Sequence, residues 1–78
     1  MEKEPQPRKE IMQFAWAMEH KMRMNDEKKG DSWKSMDSNW LLGRSLQELG
    51  EYLTGSSDWE LVDAANFLMM VWCKKNGH

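Results

Sequence analysis

Apolar residues recur at helical spacing in the first third of the chain. Between Glu10 and about Asn25 they stand three or four positions apart, while the charged residues mostly face elsewhere. This pattern is typical of an amphipathic helix. Its apolar face comprises Ile11, Phe14, Ala15, Met18 and Met22. Residues 1–9 carry two prolines and no periodicity, so we expect a flexible tail there and a single helical domain at residues 10–78.

A polar stretch follows the first helix. The residues from Asn25 to Met36 contain Gly30 and show no period, and they therefore predict a loop. Trp33 stands out in the middle of this loop as a large aromatic residue in polar surroundings.

The second predicted helix runs from about Asn39 to Thr54, with Ser38 as its candidate N-cap. Four leucines form a stripe along it, and we expect this stripe to pack. They are Leu42, Leu46, Leu49 and Leu53. Glu48 and Glu51 share a face that lies roughly opposite the stripe.

The third predicted helix runs from about Asp58 to Lys75. Ser57 and Glu60 have the S-x-x-E form of a capping box at its start. The stretch from Leu61 to Cys73 is apolar almost all round, which is the pattern of a buried helix. The short Gly-Ser turn before it makes the last two helices antiparallel neighbours. The expected fold is thus all-α, with three helices and a hairpin of the last two.

Four carboxylates would converge in such a hairpin. Glu48 and Glu51 lie near the end of one helix, and Glu60 and Asp63 lie near the start of the next. Like charges at close range repel unless a divalent cation neutralises them, and oxygen-only ligands favour Mg²⁺ or Mn²⁺. The chemistry predicted is phosphoanhydride hydrolysis with a metal-activated water as nucleophile.

Plainer roles stand beside these. The two glutamates of the second helix also fit a solvated surface, and Glu60 also fits the capping box. Asn66, inside the apolar run, suits a hydrogen bond between helices as well as it suits a functional role. A small helical interaction protein with its carboxylates on the surface is therefore a further hypothesis.

Composition narrows the function classes. Thirteen acidic and eleven basic residues among 78 give a net charge of −2, which argues against a nucleic-acid binder. Cys73 is the only cysteine, so neither a disulfide framework nor a cysteine metal site is expected. The longest apolar run is interrupted and falls short of the roughly 20 residues of a membrane span. The charged first ten residues do not resemble a signal peptide, and we expect a cytoplasmic protein.

Five Trp and eight Met are many for a chain of 78 residues. Three helices of this size, one of them apolar nearly all round, have too little surface to bury one another. We therefore expect self-association, at least as a dimer, in which a second copy completes a bundle of the four-helix type.

Several segments resemble one enzyme superfamily. Residues 47–52 (QELGEY) and 60–63 (ELVD) resemble the E-E-x-x-E and E-x-x-D motifs of the MazG-like, all-α nucleoside triphosphate pyrophosphohydrolases. Residues 63–70 (DAANFLMM) look like the D-V-A-N-F-A-M-M segment of a small, phage-rich branch described as dATP/dGTP diphosphohydrolases. Residues 14–33 are similar to that branch's F…M-E-x-K-L…N…K-G-G-W region. The likeness spans about Phe14 to Met70, and D-x-A-N-F-x-M-M is its specific part.

This resemblance implies an activity and a set of site residues. Members of the family hydrolyse an NTP or dNTP to the monophosphate and pyrophosphate, which here implies a phage nucleotide-pool enzyme acting in the host cytoplasm. Glu48, Glu51, Glu60 and Asp63 would be Mg²⁺ ligands, and Glu48 or Glu51 would orient the attacking water. Asn66 would fix the ribose or a ligand carboxylate, and Trp33 would cover the base. Lys29 and Lys34 would contact phosphates, although each also fits a solvated loop charge.

Two departures from the family pattern support an alternative. Gln47 stands where the family has the first Glu of E-E-x-x-E, and the connector between Glu51 and Glu60 is short. A fold that binds nucleotides without hydrolysing them, as a sponge that opposes a nucleotide-signalled host defence, is the second hypothesis.

Overall fold

Three α-helices and one short 3-10 helix form the described part of the chain. The computed structural model describes residues 4–26, 30–55 and 57–77. Its elements are α1 (Lys9–Asn25), the 3-10 helix (Ser32–Ser35), α2 (Ser38–Leu53) and α3 (Trp59–Lys75). No strand occurs within these ranges, so the predicted all-α class is confirmed.

α2 and α3 form the predicted hairpin and pack along each other. The chain reverses at Gly55, whose φ of +95° lies in the left-handed region that favours glycine. The Gly55 N–H donates to the carbonyl of Tyr52 at 3.1 Å and so closes the end of α2. Glu60 and Phe67 of α3 lie on the side that faces α2, since both contact its side chains.

α1 packs against a neighbouring face of α3 and buries none of its own residues. Two polar contacts join these helices. The Asn66 Nδ2 donates to the backbone carbonyl of Met18 at 3.1 Å, and Lys21 pairs with Asp63 at 3.5 Å. Asn66 is therefore a hydrogen-bond partner between helices, which is one of the two roles that its position predicts.

Within the described part of the chain the leucine stripe of α2 is exposed and is not the face that packs on α3, so the prediction that it packs is wrong for the single chain. The buried residues of α2 are Leu41, Ser45 and Glu48, which lie on the face that carries the carboxylates. Leu46 and Leu53 of the stripe are 64% and 82% exposed. Ser45 is small and fully buried, which allows α3 to approach closely on this face. The stripe is consequently left on the outside of the hairpin.

α3 is buried on the two sides that face α1 and α2, and not all round as its sequence predicts. Its buried residues include Val62, Ala64 and Met70, whereas Leu68 on its outer face is exposed. No helix in the described ranges is long and apolar enough to cross a membrane.

The caps of α2 and α3 differ from their predicted form. The N-cap of α2 is Asp37 rather than Ser38, because the helix begins one residue earlier and the Asp37 carboxylate accepts from the N–H of Trp40 at 3.1 Å. Half of the capping box of α3 is present, since Glu60 accepts from the N–H of Ser57 at 3.1 Å. The Ser57 hydroxyl accepts from the N–H of Trp59 instead.

Substitutions at the start of α2 test the cap assignment. Asp37→Ala should lower the free energy of unfolding by about 1 kcal/mol, because it leaves an N–H of the first turn without its acceptor. Ser38→Ala is the matched control and should change it by less than about 0.5 kcal/mol. Urea unfolding followed by circular dichroism measures both, and an equal loss in the two variants would contradict the assignment.

Candidate functional site

Three glutamate carboxylates meet where α2 and α3 face each other. Glu48 and Glu51 come from α2 and Glu60 from α3, and one oxygen of each lies within 4.8 Å of the others. Glu48 is buried, with 7% of its surface exposed, Glu60 is half-buried and Glu51 is exposed. The hairpin thus brings Glu60 of α3 to the two glutamates of α2, from which the turn separates it in sequence.

Asp63 lies beside these glutamates, outside the group of three oxygens. It is one turn after Glu60 on α3, and its Oδ1 is 3.5 Å from the Lys21 Nζ of α1. Its charge is nevertheless close enough to act on Glu48. We call Glu48, Glu51, Glu60 and Asp63 together the acidic cluster.

Burial and neighbouring negative charges disfavour the ionised form of Glu48. Burial raises the pKa of its carboxyl above the usual 4.5, and the negative charges of Glu51 and Asp63 raise it further. Arg44 lowers this pKa, while Glu60 adds a smaller increase. Because folding raises this pKa, ionisation of Glu48 costs stability in the folded state.

Glu60 divides its two oxygens between two roles. Its Oε1 accepts the N–H of Ser57 and so helps to begin α3. Its Oε2 is buried and has no hydrogen-bond partner in the described part of the chain. A buried carboxylate oxygen without a donor is costly, and a cation near this oxygen would remove the cost.

Two positive side chains contact the acidic cluster. The Arg44 Nη2 lies 3.2 Å from the Glu48 Oε2, and Lys21 pairs with Asp63. When all four carboxylates are ionised, these two cations leave two negative charges without a counterion among the described residues. Oxygen ligands with this excess charge suit one divalent cation of the Mg²⁺ class, so the donor set fits the metal that the resemblance implies.

Gln47 connects Arg44 to the exposed edge of the acidic cluster. Its Oε1 accepts from the Arg44 Nη1, and its Nε2 donates to Glu51 at 3.4 Å. This neutral amide therefore links a cation and an anion at a position where a further carboxylate would add repulsion.

A cleft of about 210 Å³ adjoins the acidic cluster. It lies between α1, the 3-10 helix, the first half of α2 and α3, and Asp63 belongs to both the cleft wall and the acidic cluster. Most of its wall is apolar, including Met22, Met36, Leu41, Phe67 and Met70. A mostly apolar cleft with a few polar groups in its wall is typical of a small-molecule site.

Two buried polar atoms in the cleft wall lack partners within the described residues. They are the Trp33 Nε1, a donor, and the Asn66 Oδ1, an acceptor. Asn66 is only 5% exposed, and its Nδ2 is already used by Met18, so its orientation is fixed. A buried donor or acceptor without a partner is costly, and these two atoms lie in residues that line the cleft.

The predicted substrate-binding residues fall into three groups. Trp33 and Asn66 line the cleft. Lys34 is not in the cleft wall, because its Nζ lies 3.5 Å from Asp31 and its backbone carbonyl accepts from Lys74. Lys29 lies outside the described residues.

Sequence reasoning missed two residues of the site. Arg44 precedes Glu48 by one helical turn, and this i,i+4 spacing is the signal that would have placed them together. Lys21 comes from α1, and its pairing with Asp63 depends on how α1 docks, for which the sequence offers no local signal.

Comparison with known proteins does not assign this chain to a family. No protein-family model, no curated protein and no solved structure matches this chain.

Glu48→Gln tests whether the negative charge of Glu48 destabilises the folded protein. The variant should melt at a higher temperature than the wild type at pH 7 in EDTA, because it removes a charge that the folded state disfavours. Since the pKa of Glu48 is raised on folding, the difference should vanish as pH falls below 4.5, where the wild-type group is protonated in both states.

The same melting measurement, repeated with Mg²⁺ in place of EDTA, tests whether Glu48 binds the metal. The wild type should gain stability on adding Mg²⁺ and Glu48→Gln should gain little, as linkage requires of a ligand that binds the folded state. Glu19→Gln, on the exposed side of α1, is the control and should respond as the wild type does. A Glu48→Gln variant that melts below the wild type in EDTA would contradict the conclusion that the charge of Glu48 destabilises the metal-free protein.

Proposed function

We propose that this protein hydrolyses (deoxy)nucleoside triphosphates to the monophosphate and pyrophosphate with the help of Mg²⁺, as a phage nucleotide-pool enzyme would in the host cytoplasm. The observation that carries the proposal is the position of Asp63, which belongs both to the acidic cluster and to the wall of an apolar cleft. A nucleotide needs both environments, one for its phosphates and one for its base.

The four residues of the acidic cluster would hold the metal. Mg²⁺ or Mn²⁺ bound there would neutralise phosphate charge and lower the pKa of a coordinated water. The unpartnered Oε2 of Glu60 supports this assignment, because a capping role alone leaves that oxygen unsatisfied.

The protein groups around the metal would orient the reaction. Glu48 or Glu51 would accept a hydrogen bond from the attacking water and direct it at the α-phosphorus. Attack there breaks the bond between the α-phosphorus and the bridging oxygen, and pyrophosphate leaves. Glu51 is exposed and has Gln47 as a partner, whereas Glu48 is held by Arg44, so the two glutamates differ in freedom to move.

The cleft would bind the nucleoside. Its apolar wall offers van der Waals contact to a planar base, and the Trp33 Nε1 and the Asn66 Oδ1 offer one donor and one acceptor. Both atoms are buried without a partner in the free protein, so a ligand that reached and paired them would gain affinity.

The network around Gln47 favours a second candidate function. Gln47 accepts from Arg44 and donates to Glu51, and this arrangement gives Glu51 a neutral partner in place of a second carboxylate. Fewer anionic ligands would weaken metal binding while leaving the cleft unchanged. The alternative proposal is therefore a nucleotide-binding sponge without turnover, possessing the same cleft.

Turnover separates the two functions. The wild type should convert one or more dNTPs or NTPs to monophosphate and pyrophosphate with Mg²⁺ and not with EDTA. Asp63→Asn should lower the rate by more than about 100-fold, since even partners of metal ligands contribute 10–100-fold. Glu19→Gln should retain the wild-type rate.

The other outcomes of this assay are equally informative. Binding without turnover, lost on Asn66→Ala, would support the sponge. Neither binding nor turnover with any nucleotide would refute both functions.

We also propose that a second copy covers the leucine stripe of α2. All four leucines of the stripe are exposed, by 41% at Leu42, 64% at Leu46, 37% at Leu49 and 82% at Leu53. A contiguous row of exposed leucines on one helix face is typical of a surface that another protein chain covers. The stripe runs the length of α2, so pairing it with its copy about a two-fold axis would place two hairpins in a four-helix bundle.

Charged substitutions test this interface. Leu46→Glu should convert a dimer to a monomer in sedimentation equilibrium at micromolar concentration, because it places a charge at the centre of the stripe. Met24→Glu is the matched control, since Met24 is 61% exposed on α1 and lies off the stripe. A wild type that is folded and monomeric under these conditions would contradict the proposal.

A further inference from the structure

Arg44 lies between the acidic cluster and the cleft. Its Nη2 is 3.2 Å from the Glu48 Oε2, and its guanidinium carbon lies 5.3 Å from the centre of the Phe67 ring. Arg44 also belongs to the wall of the cleft. One side chain thus touches both halves of the proposed site.

The pairing of Arg44 with Glu48 competes with metal binding. The guanidinium is always charged and carries five N–H donors, of which Gln47 and Glu48 use two. A divalent cation neutralises the negative charge of a carboxylate that coordinates it. The same cation repels a guanidinium beside it. Arg44 and a metal at Glu48 therefore oppose each other.

The surroundings of Arg44 allow it to change partner. Its side chain is 29% exposed, so it can rotate without opening the core, whereas the Glu48 side chain is 9% exposed and stays in place. Phe67 offers a flat aromatic surface that keeps the guanidinium at the cleft wall. Lys21 differs, since it lies outside the cleft wall and pairs with Asp63 beside Trp59.

We propose that Arg44 is an exchangeable cation: it neutralises Glu48 in the metal-free protein and turns to a phosphate group of the ligand in the cleft once Glu48 coordinates a divalent cation. This inference rests on the proposed function, because it takes a metal at the acidic cluster and a phosphorylated ligand in the cleft. It makes Arg44 a link through which metal binding prepares the site for a polyphosphate.

The exchange predicts opposite effects on two affinities, and the comparison of two glutamate variants below separates it from the effect of a fixed charge. Arg44→Gln should raise the affinity for Mn²⁺ alone about tenfold, because the competitor for Glu48 is gone. The same change should lower the affinity for inorganic pyrophosphate at saturating Mg²⁺ about tenfold, because a phosphate partner is gone. A purely structural role of Arg44 would lower both affinities. Isothermal titration calorimetry measures each.

Two control variants sharpen this comparison. Arg23→Gln removes the arginine of another i,i+4 pair, with Glu19 on α1, and should leave both affinities unchanged. Arg44→Lys keeps the charge and should retain the wild-type affinity for Mn²⁺, with pyrophosphate affinity between those of the wild type and Arg44→Gln.

A second measurement leaves Arg44 in place. In EDTA, Glu48→Gln should bind pyrophosphate more tightly than Glu51→Gln, because only the former change releases the guanidinium. The two variants lose the same charge, so general repulsion of the anion is matched between them.

The outcomes distinguish this inference from the proposed function. Opposite shifts in Arg44→Gln together with the greater gain in Glu48→Gln support the exchange. Parallel shifts, unchanged affinities, or equal gains in the two glutamate variants overturn it. A wild type that binds no Mn²⁺ refutes the proposed metal site and, with it, the metal-driven half of the exchange, whereas failure of the variants alone leaves the metal site standing.

Discussion

Repulsion between four carboxylates at the contact of α2 with α3 is the constraint on which the rest of this structure depends. The hairpin places these groups on the faces that pack, and Glu48 is buried among them. Two ion pairs and one hydrogen bond partly compensate this negative charge. Arg44 neutralises Glu48, Lys21 neutralises Asp63 from another helix, and the start of α3 gives an N–H to Glu60.

The same constraint connects the acidic cluster to the cleft. Asp63 belongs to both, and Arg44 in the cleft wall pairs with Glu48 of the acidic cluster. The charged and apolar regions are therefore directly adjacent. With a divalent cation at the acidic cluster, as proposed, a ligand with an anionic chain and a planar polar head would match this arrangement, because the cation would meet the chain and the apolar wall would meet the head. The proposed function follows from this adjacency of two unlike surfaces, and neither surface would suggest it alone.

Helical periodicity predicted the elements well and their packing faces poorly. α1 and α3 lie within one residue of their predicted limits, and the Gly-Ser turn correctly indicated a hairpin. The face of α2 was assigned by hydrophobicity, which selects the leucine stripe, whereas α3 packs on Leu41, Ser45 and Glu48. Hydrophobicity shows which residues favour burial, but it does not show whether another helix of the same chain will cover them.

The site was predictable to the extent that it depends on local spacing. Glu48 and Glu51 share a helix face, and the turn that follows brings them to Glu60, so their proximity needed only the hairpin. The pairing of Lys21 with Asp63 and the cleft between α1 and α3 depend on contacts between distant segments. No periodicity encodes these contacts.

The attachment of α1 has a consequence for how the molecule moves. α1 buries none of its residues and is tied to α3 by the polar contacts of Asn66 and Asp63. Segments with few buried apolar contacts detach at lower free energy than the rest of a domain, so we expect α1 to open separately from the α2–α3 hairpin. Because Asn66 and Asp63 also line the cleft, a ligand bound there would be thermodynamically coupled to the docking of α1, and the amide hydrogens of α1 would then exchange with solvent more slowly as the ligand concentration rises.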